Sequence, residues 1–498
     1  MHNKLSLSNK LMLIFLILFG ITSTALVSYA LLFPCQRLWP MHFKILLPLV
    51  IIIFITLIGI TIYLRHCSLK QLHFFVLINF SLITILGILS LVFFTKHPHW
   101  DTVICTNTAY HLYPHFNWHD VTNGEYYYAT VEYPNNLALI YFEAVIMKIL
   151  TILKVNFTIK TAYYFFLPLN IVFLLGSVGL VFRLIEKHCQ YYVAVLFTVL
   201  IILMSALFPS LTIFYTDYPA MLIICLMLTC YNDFIIEHQW RYAIWLLIIS
   251  ILGSLIKFNI TIVLIGISIH YMLTHRWTKV LRNLLLLWLS FGLAISNIHY
   301  YEQKITNANP SEFGMPIIHW PLMSLNPSGG YTNKGANYTD RLKAHYSNST
   351  VAKIETKQYL KIITTKPQRV WQALQAKISW VYSEGTYQSL KFCLVSKTSI
   401  SKIARFFYGN KRNYFVYWCS AYNLTLWFLI IIGVWLRLFK LQFDSHFQDA
   451  GMISLFGNML FLLIWEANSR YMFAFLPIIL TLSSITLTKL IAEFKHHD

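Results

Sequence analysis

Ionisable residues stand beside long apolar runs at widely separated points of the chain. They are Asp101, Asp217 in FYTDYP, Lys257 in GSLIKFN, and Glu466 and Arg470 in WEANSRYMFAFLP. A carboxylate can accept the proton of an attacking hydroxyl, and a guanidinium or ammonium can stabilise a developing negative charge. Charged groups at membrane depth are costly, so each is a candidate functional residue. We expect them to converge at one membrane face.

Each candidate also has a purely structural interpretation. Asp101 suits a loop or a helix cap. Asp217 and Lys257 suit mutual counter-ions, while Glu466 and Arg470, four residues apart, suit a local helical pair. These alternatives stay open at the level of sequence.

The elements that position these residues are predicted to be membrane-spanning helices. Of 498 residues, 57% are hydrophobic and 11% are charged, whereas a soluble domain carries about a quarter charged residues. Many apolar runs reach the roughly 20 residues that a helix needs to cross hydrocarbon. Continuous runs exclude the alternating pattern of a membrane barrel. The predicted fold class is therefore an all-α polytopic membrane protein.

We predict about twelve spans, with an amphipathic helix over 138–154 that lies along the outer interface. The predicted spans are 11–33, 43–64, 73–94, 163–183, 191–208, 217–233, 241–256, 258–273, 280–298, 421–439, 449–466 and 471–489. If 138–154 does not cross, the N-terminus is cytoplasmic and the basic clusters fall inside, as the positive-inside rule requires. We expect that helix to have one apolar and one polar face.

This topology divides the chain into three parts and restricts its partners. They are an N-terminal transmembrane module over 1–298 with an outer catalytic loop at 95–162, an extracytoplasmic region at 299–420, and C-terminal transmembrane helices over 421–498. The net charge of +19 is scattered among loops, which favours contact with the lipid bilayer over nucleic acid. The eight cysteines and the histidines show no metal-like spacing. We expect no cofactor and no zinc, and a divalent metal ion near Asp217 stays open.

The layout resembles the GT-C superfamily, membrane glycosyltransferases that use polyprenyl-phosphate-linked sugars and include the protein O-mannosyltransferases and aminoarabinose transferases. The resemblance rests on an Asp in the first large outer loop, an interfacial helix after it, and TDYP opening a later span. It also rests on the late element that runs from Glu466 through Arg470 to Pro477. Four further motifs, WDTVICTNTAYHL, YPNNLALIYF, HWPLMSLNPSGGY and ANSRYMFAFLP, are similar to uncharacterised Gram-positive proteins of this type.

The resemblance implies a hexosyltransferase active at the outer membrane face, with a polyprenyl-phosphate sugar donor and a cell-envelope acceptor. Asp101 is then the catalytic base, supported by Asp217, while Arg470 and Lys257 bind the donor phosphate. The candidates for binding substrate are Tyr133, Asn135, Asn136, Glu466, Tyr471 and His319.

Two of these motifs also fit turns. YPNN suits the start of the interfacial helix, and the Gly-Gly pair after His319 suits a tight loop.

Two other classes of protein fit the same composition. A transporter or flippase for lipid-linked sugars would place ionisable residues along a cavity at mid-membrane, often between repeated broken helices. A scaffold for envelope assembly would tolerate loss of the charged residues. The expected clustering at one face and the lack of a repeat in the sequence favour the enzyme. The sequence does not name the sugar or the acceptor.

Overall fold

The computed structural model describes residues 7–94, 100–392, 407, 409, 411–440 and 446–494. Helices dominate this part of the chain, and it contains no strand. The longer helices are α1 Leu7–Leu32, α2 Phe43–His66, α3 Leu69–Phe94, α4 Asp101–Leu112, α5 Leu137–Ile152, α6 Leu167–His188, α7 Tyr191–Leu203, α8 Asp217–Glu237, α9 Trp240–Ile256, α10 Thr261–Thr274, α11 Trp277–Thr306, α12 Asn333–Lys343, α13 Asn348–Thr365, α14 Pro367–Ser383, α15 Arg412–Lys440, α16 His446–Ile464 and α17 Leu476–Phe494.

Shorter helical turns connect them. Those that matter for the site are Tyr128–Glu132, Pro134–Asn136, Phe258–Ile260, His319–Ser324, Ser389–Phe392 and Ser469–Phe475.

The prediction of an all-α polytopic membrane protein is confirmed. Ten helices of the described residues are long and apolar enough to cross a bilayer, and α7, α9 and the 258–274 segment are shorter apolar helices. Nine of the twelve predicted spans are therefore long helices and three are short. The tenth long helix, Pro134–Ile152, includes the segment predicted to lie along the interface.

The main bundle is held together by close pairs of apolar helices. Helix α10 packs on α16, α8 packs on α6 and α9, and α15 packs on α1, α2 and α17. Several polar side chains inside the bundle are paired, as a low-dielectric interior favours. Asn79, for example, donates to the Thr198 hydroxyl at 2.8 Å, and Arg437 lies 2.6 Å from Asp449.

Helix α5 belongs to a second hydrophobic cluster rather than to the bundle. It packs mainly on α4 and shares this cluster with Trp118, Phe166 and Phe214. We expect one apolar and one polar face on this helix, but no polar side chain between Leu137 and Ile152 is exposed. Its exposed side chains are apolar (Phe142, Val145, Ile149 and Ile152), whereas Glu143 is buried on the opposite face. Glu143 is buried, and the exposed face of α5, which is apolar, suits lipid contact.

Candidate functional site

A cavity of about 820 Å³ opens at one end of the bundle, which we call the cavity end. At this end α1, α3, α9 and α16 finish, and α2, α8, α15 and α17 begin. Seven of the predicted site residues line the cavity: Asp101, Tyr133, Asn135, Lys257, Glu466, Arg470 and Tyr471. The fold brings these residues together from distant parts of the sequence.

Asp217 holds the two predicted phosphate-binding cations together. It is the first residue of α8, where the helix dipole favours a negative charge. Its Oδ1 lies 2.6 Å from Lys257 Nζ, and its Oδ2 lies 3.1 Å from Arg470 Nε. All three side chains are mostly buried. The counter-ion interpretation of Asp217 and Lys257 is therefore correct in geometry, and it extends to Arg470.

Lys257 and Arg470 reach Asp217 from breaks between helices. Lys257 follows the last residue of α9 in an extended conformation, and Arg470 lies in the short turn before α17. Non-helical backbone at membrane depth is found where it lines a cavity or is buried in protein. Both cations consequently meet the cavity wall while sharing one carboxylate.

Asp101 is connected to this cation pair through Tyr215. Asp101 is the first residue of α4, and its Oδ2 lies 3.5 Å from the Tyr215 hydroxyl. That hydroxyl donates to Asn136 Oδ1 at 2.9 Å, and the Arg470 guanidinium carbon lies 4.9 Å from the Tyr215 ring centre. Tyr215, the first tyrosine of FYTDYP, whose role the sequence does not reveal, thus stands between the carboxylate and the guanidinium.

Glu466 fixes a turn rather than forming a helical pair with Arg470. Its Oε1 accepts from the Tyr331 amide at 3.1 Å, and its Oε2 accepts from the Tyr471 hydroxyl at 2.9 Å. The Ala467 amide donates to the Gly329 carbonyl at 3.0 Å. Burial raises the pKa of Glu466, against the opposing effect of its hydrogen bonds. The predicted Gly-Gly turn is therefore bound to the ANSRY segment.

The remaining predicted residues divide between the cavity wall and the layer behind it. The Tyr133 ring lies 6.0 Å from the Trp320 ring, and both residues line the cavity with Asn135. Asn136 is buried and donates to the Tyr128 hydroxyl at 2.9 Å. His319 lies behind Trp320, buried, with its Nδ1 2.6 Å from the Thr339 hydroxyl. It supports the wall, and the structure does not bring it to the cavity.

Several cavity residues are not among the predicted site residues. Arg37, Trp100, Asn259, Gln388 and Lys391 line the same space. Both amide atoms of Asn259 are buried and have no hydrogen-bond partner within the described ranges. These residues lie in connections or beside helix ends, where a sequence pattern is hard to distinguish from an ordinary loop.

The described residues contain no group of three or more His, Cys, Asp or Glu side chains placed to hold a metal ion. Each Asp217 carboxylate oxygen already contacts a cation. The arrangement can receive an anion at Arg470 and Lys257 and a proton at Asp101.

Residues 5–491 match a family described as conserved hypothetical integral membrane proteins. The chain belongs to this family. No curated protein matches it. For this integral membrane family, the cavity provides a specific set of residues to test.

Proposed function

We propose that the protein is a glycosyltransferase that moves a sugar from a polyprenyl-phosphate-linked donor to a cell-envelope acceptor at the outer membrane face. The observation that carries the proposal is the Arg470–Asp217–Lys257 cluster at the wall of a cavity that also contains Asp101. An anion site and a candidate base thus share one space, connected through Tyr215.

The shape and composition of the cavity suit a lipid-linked donor. Its wall combines the charged cluster with apolar side chains beside the end of α9 and along α11, including Ile256, Phe258, Phe291 and Ile295. Phe258, the residue after Lys257, is a large apolar side chain that is 64% exposed. A polyprenyl chain would lie along these side chains, with its phosphate at the cations.

The chemistry follows from this placement. The acceptor hydroxyl attacks the anomeric carbon of the donor, and its proton passes to the Asp101 carboxylate. The bond from the anomeric carbon to the phosphate oxygen breaks, and the lipid phosphate leaves with that electron pair. Arg470 offers a planar fork to the departing phosphate, and Lys257 offers a compact ammonium. We expect a direct displacement that inverts the anomeric centre.

A transporter for lipid-linked sugars is the alternative. It would require ionisable groups along a path through the membrane. The cluster of Asp101, Asp217, Lys257 and Arg470 instead lies at one end of the bundle, where these helices begin or finish. This arrangement favours chemistry at one face.

The proposal is tested with purified protein in nanodiscs and a panel of polyprenyl-phosphate sugars. We expect Arg470→Ala to lose donor binding, and Asp101→Asn to keep donor binding while losing sugar release. The matched control is Asp120→Asn, an exposed aspartate in the same loop that pairs with His115 at 3.3 Å.

Full turnover by a folded Asp101→Asn protein would exclude Asp101 as the base. Donor movement across the bilayer without consumption, insensitive to Asp101, would establish a flippase instead.

A further inference from the structure

A second pair of cations faces the cavity and has no role in the proposed transfer. Arg37 lies between α1 and α2, and Lys391 lies in the short turn Ser389–Phe392. Both side chains line the cavity and both are exposed to it. The Lys391 Nζ lies 5.6 Å from the centre of the Trp100 ring, and Arg470 Cζ lies 5.8 Å from the same ring. Trp100 therefore stands beside one cation of each pair.

Contacts to the flat face and to one edge of its guanidinium hold the Arg37 side chain in place. Its guanidinium lies 3.9 Å from the centre of the Trp380 ring. It donates to the Ser328 carbonyl at 3.4 Å and to the Tyr331 carbonyl at 3.2 Å. A guanidinium has five N–H donors, so these two contacts orient Arg37 and leave further donors for a ligand.

Two uncharged N–H donors lie in the wall at the same end of the cavity. Trp380 Nε1 and Gln388 Nε2 are buried and have no hydrogen-bond partner among the described residues. Both residues line the cavity. An unpaired buried N–H group lowers stability, and an acceptor supplied by a ligand would remove that cost. The indole N–H can only donate, and the unpaired amide nitrogen of Gln388 likewise offers only donors.

The backbone that carries Gln388 is strained and firmly fixed. Tyr387 and Gln388 both have left-handed backbone angles, with φ of 49° and 59°, a conformation that is unfavourable for non-glycine residues. The buried Glu384 carboxylate accepts from the Gln388 amide at 3.1 Å and from the Ser469 hydroxyl at 2.6 Å. Strain that the surroundings maintain is typical of ligand sites.

Negative charge at this end of the cavity is already engaged. Glu466 is the acidic group that acts on both Arg37 and Lys391, and each of its oxygens accepts a hydrogen bond from Tyr331 or Tyr471. Partial burial and the positive charges of Arg37 and Arg470 lower the pKa of Lys391, with Glu466 opposing them. An added anion would relieve the repulsion among the three cations.

We propose that Arg37, Lys391, Gln388 and Trp380 form a second phosphate-binding subsite beside the one made by Arg470 and Lys257. This inference rests on the proposed transferase function and specifies its substrates further, because the reacting pair must then carry two phosphate groups. The second phosphate belongs either to a diphosphate-linked donor or to the acceptor.

The test measures binding by titration calorimetry in nanodiscs of uncharged lipid at fixed ionic strength. The probes are farnesyl phosphate, farnesyl diphosphate and inorganic phosphate. The variants are the double substitution Arg37→Gln with Lys391→Gln, and Trp380→Phe, which keeps the ring under Arg37 but removes the N–H. Lys357→Gln, an exposed lysine of α13, is the matched control, and thermal unfolding confirms that each variant is folded.

If the second phosphate belongs to the donor, farnesyl diphosphate should bind the natural protein about tenfold more tightly than farnesyl phosphate. The double variant and Trp380→Phe then lose this preference, and farnesyl phosphate still binds normally. If the second phosphate belongs to the acceptor, the two lipids should bind with equal affinity. Inorganic phosphate then binds to protein saturated with farnesyl phosphate, and the double variant weakens this binding about tenfold.

Unchanged affinities for all three probes in the folded double variant would overturn the second subsite. That result would leave the transferase proposal intact if Arg470→Ala still weakened farnesyl phosphate binding. Failure of the natural protein to bind either lipid phosphate would instead overturn the proposed function itself.

Discussion

Replacing Asp217 by Asn is the most informative single change at the charged cluster. The carboxylate contacts Lys257 at 2.6 Å and Arg470 at 3.1 Å. Asn keeps the size of the side chain and removes its negative charge. Two mostly buried cations then face each other without a counter-ion.

The expected cost can be worked from this geometry. Cations that share one carboxylate stand about 5 Å apart, and at an effective dielectric constant of about 20 their repulsion is about 3 kcal/mol. Removing one partner of a buried ion pair costs about 3–5 kcal/mol in general. We therefore expect the free energy of unfolding to fall by about 3–5 kcal/mol.

A lipid phosphate should recover part of this loss. If Arg470 and Lys257 bind phosphate, the ligand restores a negative charge where the carboxylate has been removed. Farnesyl phosphate should then bind the Asp217→Asn protein more tightly than the natural protein and stabilise it more. At a ligand concentration of 100 times Kd, bound ligand adds about 2.7 kcal/mol. Sugar transfer should still decrease, because the two cations are no longer aligned by one carboxylate.

The assay is thermal unfolding in nanodiscs with and without farnesyl phosphate. The matched control is Asp233→Asn on the same helix, where Asp233 pairs with Lys187 at 3.1 Å in a more exposed setting. That change should cost no more than about 1 kcal/mol. Equal stabilisation of natural and Asp217→Asn protein by the ligand would refute phosphate binding at this cluster. Equal stability of the two aspartate variants would refute the electrostatic reasoning.

Three further variants test other parts of the structure. Asn259→Leu should raise thermal stability, because an unpaired buried amide costs about 1–3 kcal/mol. The same variant should bind the donor more weakly in calorimetry. Lower stability with normal donor binding would contradict this expectation. Lys343→Met should destabilise the fold, because the ammonium donates to the carbonyls of Val131, Glu312 and Gly314. Burial lowers the pKa of Lys343 to about 8 from 10.5, so the folded protein binds fewer protons than the unfolded chain between these values. The free energy of unfolding of the natural protein should therefore rise with pH across this range, and pH-dependent unfolding should show a smaller slope in the variant. Gly329→Ala should lower the free energy of unfolding by about 1–2 kcal/mol, because φ is 68° and a Cβ would lie 2.8 Å from the Ala373 carbonyl oxygen. Its control is Gly292→Ala in α11, where a Cβ meets no atom within 4 Å, and this change should be tolerated.

The sequence predicted the charged core of the site because its residues stand at the ends of apolar runs. Asp217, Lys257 and Arg470 could be placed at one face from helix length and loop charge alone. A counter-ion role for Asp217 is one of several interpretations that the sequence leaves open, beside support of Asp101 and binding of a metal ion. The helical pairing of Glu466 with Arg470 was not realised, because the backbone leaves the helix after Ile464.

The second set of cavity residues could not be predicted from sequence. Arg37 lies in a short connection, and only the path of the Gly-Gly turn brings carbonyl groups to its guanidinium. Gln388 reaches the cavity through two left-handed residues, which a propensity argument would reject. The burial of Glu143, which leaves the outward face of α5 apolar, does not follow from the sequence pattern. Each of these positions is set by tertiary packing.

Helix α11 gives the cavity one wall that the rest of the protein holds only loosely. Of its 30 residues, Val280, Phe291 and Thr306 alone are buried, and it packs chiefly on α9 and α10. Its second half nevertheless supplies Ile295, His299 and Glu302 to the cavity. We therefore expect surrounding lipid to pack against the exposed face of α11 and to help position this wall. Lateral pressure and acyl-chain length should then affect the width of the cavity, and a detergent micelle should hold α11 less firmly than a bilayer does.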